Sequence, residues 1–254
     1  MEPRHVAVIG GSAGALGPLR QLAAALPAGL PGSVLVTLHV STRARGELPW
    51  LLSHSGPLPA EYAKEGERLQ PGQVYVAPPG RHLLVPGGVV ELSNGPMVNH
   101  FRPAVDATFA SAARWFGDRV VAVVLSGLLD DGAVGAALVA QAGGLVVVQD
   151  PEEADYPSMP RAALAAVPGA IVAPAKQLSE MVAGVLGEAG LAAWPQSLVA
   201  AQADAAEAKL WSAVAALEET AAMARHSVLG DGDADQQART ADWATTAEGT
   251  PPRR

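Results

Sequence analysis

Five short segments of the chain are apolar at most successive positions, where a strand with one solvent-facing side would alternate apolar and polar residues. They cover residues 5–10, 33–39, 120–127, 144–150 and 170–173. Strands that are apolar on both sides are typical of parallel sheets buried between helices. Alanine- and leucine-rich stretches of helical length separate most of these segments. The sequence therefore predicts an α/β fold, a doubly wound and mainly parallel sheet with helices on both faces.

One section interrupts this alternation of strands and helices. Short strands are predicted there, joined by Pro-Gly and Gly-Gly turns, at residues 74–77, 82–85 and 89–92. We expect them to form a β-hairpin insertion or an addition to the sheet edge.

The composition changes towards the C-terminus. We expect a first domain over residues 1–187, a C-terminal helical extension over 188–229 and a polar, disordered tail over 230–254. The extension contains an alanine-rich helical pattern from residue 198 to about 228, with an apolar stripe on one face. That stripe fits two arrangements, a helix that lies on its own domain and a helix that binds a partner.

Composition excludes several classes of function. The net charge is −8, from 17 basic and 25 acidic residues, so we expect no nucleic-acid partner. No apolar run reaches the roughly 18 residues of a membrane span, so no membrane insertion is expected. The absence of cysteine excludes disulfides, thiolate metal sites and cysteine nucleophiles, and it fits a reducing compartment. We expect a cytoplasmic protein without a cofactor or a metal site.

The turn after the first predicted strand reads GGSAG over residues 10–14. A dinucleotide-binding turn needs a glycine where this chain has Ser12 or Ala13, and no Walker lysine follows. The same residues match G-x-S-x-G, in which small neighbours leave a serine exposed on a tight strand-to-helix turn. Two interpretations of Ser12 stay open here, a nucleophile and a residue that caps the next helix.

Two further polar groups lie at the ends of predicted strands. His39 ends the second strand, and Asp130 and Asp131 follow the strand over residues 120–127. Functional groups in open parallel sheets collect beyond the carboxyl ends of the strands. Serine, histidine and a carboxylate are the parts of an acyl-transfer triad. Their order along this chain differs from the serine, acid, histidine order of α/β-hydrolases, so a triad here belongs to another fold.

These residues and their surroundings resemble a known family. The segments VIGGSAGALGPLRQL, TLHV, GPMVNHFRPAVDATFASAA and VVLSGLLDDGAVGAALVAQAGGLVVVQDPEEADYPSMPRAAL are similar to the catalytic domain of the bacterial chemotaxis protein-glutamate methylesterases, the CheB family, over residues 4–187. The resemblance implies hydrolysis of glutamate γ-methyl esters on chemoreceptor helices with release of methanol. In some members of the family it also implies deamidation of receptor glutamines.

The resemblance also implies roles for individual residues. Ser12 matches the nucleophile, His39 the base and Asp131 the orienting acid. The backbone N–H groups of Ala13 and Leu128 are the expected oxyanion donors.

Two residues at the entry to a predicted helix, Asn99 and Arg102, are candidate substrate-binding residues. Arg102 has two expected partners, acidic groups on a receptor helix and Asp106, which lies four residues further along a helix.

The chain departs from the family pattern at several positions. Ala13 stands where the family usually has threonine, and Leu128 and Leu129 stand where it usually has methionine and glycine. The alternative function is therefore a non-catalytic regulatory or interaction domain on the same fold. The first strand starts near residue 5, which predicts a stand-alone catalytic domain without a receiver domain. Its expected partners are a methylated chemoreceptor or other helical signalling protein as substrate, and a separate regulator bound through the C-terminal helix.

Overall fold

A seven-stranded sheet is the centre of the fold in the computed structural model, which describes residues 5–39, 47–187, 199–212 and 216. Its strands lie in the order β3-β4-β2-β1-β7-β8-β9, and every pairing between neighbours is parallel. Their bounds are β1 Val6–Gly11, β2 Ser33–Leu38, β3 Ala60–Tyr62, β4 Val74–Val76, β7 Val120–Val124, β8 Leu145–Gln149 and β9 Ile171–Ala173. The prediction of a parallel α/β sheet is confirmed.

Helices cover both faces of this sheet. The two faces bury separate apolar cores, and successive strand residues alternate between them: Ala7 and Ile9 belong to one core, Val6 and Val8 to the other. The first core contains residues of α1 (Leu16–Ala25), α2 (Glu47–Ser55) and α6 (Ala175–Leu186). The second contains residues of α3 (Val105–Phe116), α4 (Ala133–Gln141) and α5 (Ser158–Ala166). This double burial explains why the strands are apolar throughout.

The predicted insertion is smaller than expected. Of its three short strands, only β5 (His82–Leu84) and β6 (Glu91–Ser93) form a separate antiparallel pair. β4 instead lies inside the main sheet between β3 and β2, and its three residues are buried. The predicted β-hairpin insertion is therefore confirmed for β5 and β6, whereas β4 belongs to the main sheet because its three residues are buried like those of the other sheet strands. β3 was not predicted.

The chain divides into two compact units, Met1–Lys209 and Leu210–Arg254, and the sheet belongs to the first. Residues 199–209 of this unit are helical, and Val199 and Ala206 are buried in its two cores. The side chain of Gln202, which is fully buried, bonds the backbone of Val146 on β8 in both directions, at 2.8 and 3.2 Å. These residues therefore follow the first of the two predicted arrangements, a helix that lies on its own domain.

The remainder of the predicted C-terminal helix and the predicted tail fall largely outside the described residues, and the expected regulator-binding role stays a prediction. None of the described helices is both long enough and apolar enough to cross a membrane.

The strand order places the candidate site. The chain winds from β1 to β2 on one side and later adds β7 on the other side of β1. The carboxyl ends of these three adjacent strands thus meet at one edge, where the direction of winding changes. Ser12, His39 and the loop that carries Asp131 follow β1, β2 and β7 at this edge.

Candidate active site

Ser12 lies on the turn between β1 and α1. Its N–H donates to the carbonyl of Ser126 at 2.9 Å, and its own carbonyl accepts the N–H of Ala15 at 3.1 Å. Gly14 completes the turn in the left-handed region, with φ of 75°. The residue at the helix N-cap is Ala15, and no side-chain capping bond is found there among the described residues. The capping interpretation of Ser12 is therefore wrong, and the structure leaves its hydroxyl available for another role.

A second serine, Ser126, holds this turn from behind. Its hydroxyl donates to the carbonyl of Ala13 at 2.8 Å and accepts the N–H of Tyr156 at 3.0 Å. Its N–H donates to the side chain of Gln149 at 2.9 Å. Ser126 is fully buried, and sequence analysis missed it because a serine at a strand end carries no distinctive motif. It fixes the backbone on both sides of Ser12.

His39 and Asp131 form a direct pair. The Nε2 atom of His39 lies 2.7 Å from Oδ2 of Asp131, and their side chains are 6% and 0% exposed. An ionised carboxylate only accepts hydrogen bonds, so Nε2 carries the proton and Nδ1 is the basic nitrogen. Nδ1 is buried and has no hydrogen-bond partner within the described part of the chain. Asp130, the other predicted acid, is exposed.

The Asp131 carboxylate accepts hydrogen bonds from four donors. Besides His39, these are the N–H groups of Val105 at 2.7 Å and Asp106 at 3.0 Å, in the first turn of α3, and the side-chain amide of Asn99 at 3.1 Å. Burial alone would raise the pKa of Asp131, but the bonds from His39, Asp106 and Val105 outweigh it and hold that pKa below its ordinary value of 3.8. The carboxylate is therefore ionised at neutral pH.

A second carboxylate, Asp106, lies behind the first and is 7% exposed. It accepts the Gly135 N–H and the Asn99 amide, each at 2.6 Å. Burial raises the pKa of Asp106 above 3.8 and the charge of Asp131 adds to the rise, while the Gly135 and Asn99 bonds oppose it. The two carboxylates therefore have opposite pKa shifts and share one amide donor.

The aromatic ring of Phe101 covers His39. The two ring centroids are 3.5 Å apart and the ring planes differ by 7°, so the rings are stacked. Phe101 closes a tight turn with Val98, through hydrogen bonds of 3.1 and 2.9 Å between their backbones. The stack limits rotation of the imidazole out of the plane that meets Asp131.

Ser12 and His39 line one cavity of about 230 Å³. Its wall is mostly apolar and also contains one carboxylate and one phenol, the remaining lining residues being Gly14, Leu16, Leu38, Glu47, Leu48, Leu51 and Tyr62. A cavity of this size accommodates a side chain that carries an ester or an amide. The described residues contain no group of three or more histidine, aspartate or glutamate side chains that could hold a metal ion.

The predicted oxyanion donors, Ala13 and Leu128, and the predicted substrate-binding residue Asn99 lie at the same site. Between described residues, no hydrogen bond uses the N–H of Ala13 or Leu128, whereas the N–H groups of Ser12 and Gly127 are bonded to carbonyls. Asn99 directs its amide at the two carboxylates.

Arg102 donates to the carbonyls of Asn94 and Gly95, at 3.0 and 2.7 Å. The predicted pair between Arg102 and Asp106 is wrong, because α3 begins only at Val105 and the two residues do not share a helix face.

The acid loop contains one backbone conformation that favours glycine. Leu129 has φ of 66° and is 58% exposed. The resemblance described above places a glycine at this position, so Leu129 keeps a left-handed conformation that is unfavourable for a side chain by roughly 1 kcal/mol.

The arrangement contains the parts of a nucleophilic hydrolase. Ser12 and His39 line the same cavity, and a buried carboxylate bonds one nitrogen of the His39 imidazole. Such an imidazole can accept a proton, because the carboxylate stabilises the resulting positive charge.

Comparisons with known proteins find related methylesterases. The sequence pattern of the family described as CheB methylesterase matches residues 7–182. A protein-glutamate methylesterase/protein-glutamine glutaminase of Symbiobacterium thermophilum is 35% identical over 187 residues, which are 73% of this chain and 52% of that protein. One from Anaeromyxobacter dehalogenans is 40% identical over 174 residues, which are 67% of this chain and 51% of that protein. The chain thus spans about half the length of these two relatives.

A solved structure is also similar. The CheB methylesterase catalytic domain of Thermotoga maritima superposes with a TM-score of 0.67 at 31% identity, over 70% of this chain and 97% of that domain. This chain therefore belongs to the CheB methylesterase family.

Proposed function

We propose that this protein is a protein-glutamate methylesterase, a serine hydrolase that converts glutamate γ-methyl esters on a chemoreceptor or another helical signalling protein into glutamate and methanol. One observation carries the proposal. His39 is bonded through Nε2 to a buried carboxylate, while its Nδ1, which has no partner among the described residues, is left for a proton from Ser12, which lines the same cavity.

The first half of the reaction forms an acyl-enzyme. The Ser12 oxygen attacks the ester carbonyl carbon, and its proton passes to Nδ1 of His39. The imidazolium keeps its Nε2–H bond to Asp131, which stabilises the new charge. The tetrahedral intermediate then expels methoxide, which takes the proton from Nδ1 and leaves as methanol. The glutamyl carbonyl stays bonded to Ser12.

The second half releases the product. A water molecule gives its proton to Nδ1 of His39 and attacks the acyl carbon. The second tetrahedral intermediate expels the Ser12 oxygen, which recovers the proton from His39. The product is the glutamic acid side chain, which loses its proton to water at neutral pH, and the enzyme returns to its starting state.

Backbone N–H groups stabilise the oxyanion of both intermediates. Ala13 and Leu128 are the proposed donors, because their N–H groups have no acceptor among the described residues. Ala13 directly follows Ser12, and Leu128 follows Gly127, which packs against Ser12. Preorganised donors of this kind contribute on the order of 10² to 10³ in rate each.

The same steps apply to a glutamine side chain, with ammonia as the leaving group in place of methanol. Deamidation of receptor glutamines is therefore part of the proposal, as a second activity of one site. We place both reactions in the cytoplasm, where a chain with 0 cysteines needs no disulfide for stability.

Methanol release from a methylated receptor fragment tests the proposal. Ser12→Ala should lower the turnover by about 10⁶-fold, as loss of the nucleophile does in complete triads. Ser158→Ala is the matched control, since Ser158 is an exposed serine outside the site. A covalent serine-directed probe should label the native protein at Ser12 and leave the Ser12→Ala variant unlabelled. Unchanged methanol release from folded Ser12→Ala protein would refute the assignment.

A further inference from the structure

The tight turn at Val98–Phe101 reaches over both members of the His39–Asp131 pair. We propose that Asn99, at the tip of this turn, is a positioning residue for the hydrolysis: its amide, anchored on Asp106, holds the Asp131 carboxylate in the orientation that receives the His39 N–H. The inference rests on the proposed function, and it gives Asn99 a role other than the predicted contact with substrate.

The turn itself has a defined geometry. Val98 and Phe101 exchange two backbone hydrogen bonds, and the two residues between them, Asn99 and His100, have φ of 49° and 68°. This is the two-residue turn in which both central residues are left-handed, a conformation that asparagine tolerates better than most residues. The same turn therefore directs the Asn99 side chain towards the two carboxylates and places the Phe101 ring on His39.

The amide nitrogen of Asn99 bonds both carboxylates. It lies 2.6 Å from Oδ2 of Asp106 and 3.1 Å from Oδ1 of Asp131. Each of its two N–H bonds therefore has a carboxylate acceptor. Asp106 is itself fixed by the Gly135 N–H, at 2.6 Å, so the anchor belongs to the start of α4 rather than to the turn.

The base of the turn is also held. Arg102 bonds the carbonyls of Asn94 and Gly95, and Nε2 of His82 lies 2.9 Å from the carbonyl of Pro96. These bonds of Arg102 and His82 fix the position of the turn relative to the site. Asn99 remains an exposed residue at the tip, so its replacement does not open the apolar core.

The direction of the amide separates positioning from substrate binding. The N–H groups of Asn99 point at buried carboxylates and are occupied, so substrate cannot use them without releasing Asp131. A positioning role predicts that Asn99 variants lower kcat and leave KM close to the native value. A substrate-binding role predicts the reverse.

Asn99→Asp is the main test, because aspartate keeps the shape and tolerates the left-handed backbone but offers no donor. We expect kcat for ester hydrolysis to fall by about 10²-fold, with KM within about twofold. Asn99→Gly keeps the backbone conformation without placing a third carboxylate at the site, and it should also lower kcat. It provides the measurement if Asn99→Asp does not fold.

A side-chain exchange distinguishes positioning from stability. In Asn99→Asp with Asp106→Asn, the amide and the carboxylate trade places, so the bond between residues 99 and 106 is restored while Asp131 still lacks its donor. We expect the midpoint of urea unfolding to recover towards the native value and kcat to stay low. Recovery of kcat together with stability would overturn the inference, and so would a rise in KM at native kcat in the single variants.

The pH profile provides a second readout. Asp131 faces His39, Asp106, residue 99 and the first turn of α3, so a carboxylate at residue 99 adds a like charge to its surroundings. Asp131 should then be protonated at higher pH, and the acid limb of the kcat profile should move upward in Asn99→Asp but little in Asn99→Gly. An unmoved acid limb in Asn99→Asp counts against the inference.

Ser12→Ala is measured in parallel. If it abolishes methanol release while Asn99→Asp and Asn99→Gly keep native kcat, the positioning inference fails and the proposed function stands. If Ser12→Ala keeps native release, both fail.

Discussion

The two nitrogens of the His39 ring have opposite surroundings. On the Nε2 side lies Asp131, fully buried and bonded by four donors from three parts of the chain. The other nitrogen, Nδ1, is buried without a partner among the described residues, and the His39 ring lines the same cavity as Ser12. The bond at Nε2 contributes to folding, whereas the hydrogen-bonding capacity of Nδ1 is left unused.

The difference shows how one side chain serves stability and chemistry. A buried polar atom without a partner is unfavourable for the folded state, and such atoms are concentrated at functional sites. The many bonds to Asp131 keep the ring in place while its free nitrogen waits for a proton. The contrast predicts that variants on the Asp131 side lose stability as well as activity, whereas Ser12→Ala loses activity alone.

Asp131→Asn should show the largest combined effect. An amide in place of the carboxylate presents N–H groups to donors and favours the wrong imidazole tautomer, so turnover should fall by about 10⁴-fold. The unsatisfied donors should lower the free energy of unfolding by about 3 kcal/mol. Methanol release and urea unfolding measure the two quantities. Asp130→Asn, at the exposed neighbour, should change neither, and a fully stable Asp131→Asn would remove the contrast.

Gly127→Ala tests how tightly the Ser12 side is packed from behind. A Cβ on Gly127 would overlap the sulfur of Met159 and lie 2.9 Å from the Cβ of Ser12. We expect the displaced serine to lower kcat by about 10²-fold, since an error of 1 Å in the nucleophile has that effect. Gly17→Ala is the control, because nothing lies within 4 Å of its new Cβ. Native turnover in Gly127→Ala would mean that Ser12 tolerates movement.

Acid titration separates the two carboxylates by the sign of their effects. The pKa of Asp131 is lowered, so its contribution to stability is present above its unfolded pKa, near 3.8, and is lost as pH falls through the folded pKa. The pKa of Asp106 is raised, so its contribution is full below about 3.8 and is lost as pH rises through the folded pKa.

Unfolding free energies measured across pH should therefore show a weaker acid slope in Asp131→Asn than in the native protein. Ser12→Ala, which leaves both carboxylates in place, should keep the native slope. Identical slopes in all three proteins would show that Asp131 does not contribute to stability.

Gln202→Ala should have the smallest effect on catalysis. The variant leaves the N–H and the carbonyl of Val146 without partners, so the free energy of unfolding should fall by about 2 kcal/mol. Turnover at a temperature where the variant is folded should stay native. Asp204→Ala, on an exposed position of the same helix, is the stability control. A large fall in kcat would show that losses of stability and activity cannot be separated in this fold.

The sheet was predictable from sequence because burial on both faces leaves a local signal. β1, β2, β7 and β8 are apolar at nearly every position, and their alternation with helices specifies a parallel sheet. β3 could not be predicted, because its three residues, Ala60–Tyr62, carry no such pattern. The order of the strands then brings together residues that the sequence identifies only as strand ends.

The contacts around the site depend on long-range geometry that the sequence does not display. The stack of Phe101 on His39 joins residues far apart in the chain, and the reach of Asn99 depends on two consecutive left-handed residues. The spacing of four residues between Arg102 and Asp106 was misleading, because it assumed that both lie on one helix, whereas α3 begins only at Val105. In this chain, motif spacing thus identifies the candidate catalytic residues, while the orientation of their side chains follows from tertiary structure.

The bond pair between Gln202 and Val146 has a consequence for where the catalytic part of the chain ends. The side chain supplies one amide group where a further strand would supply a peptide, and so it satisfies Val146, which precedes the β8 residues paired with β9. A protein shortened to the predicted boundary at residue 187 would lose that amide together with Val199 and Ala206. The N–H and carbonyl of Val146 would then be open to pairing with a second molecule. Shortened forms intended for expression should therefore extend at least to Lys209.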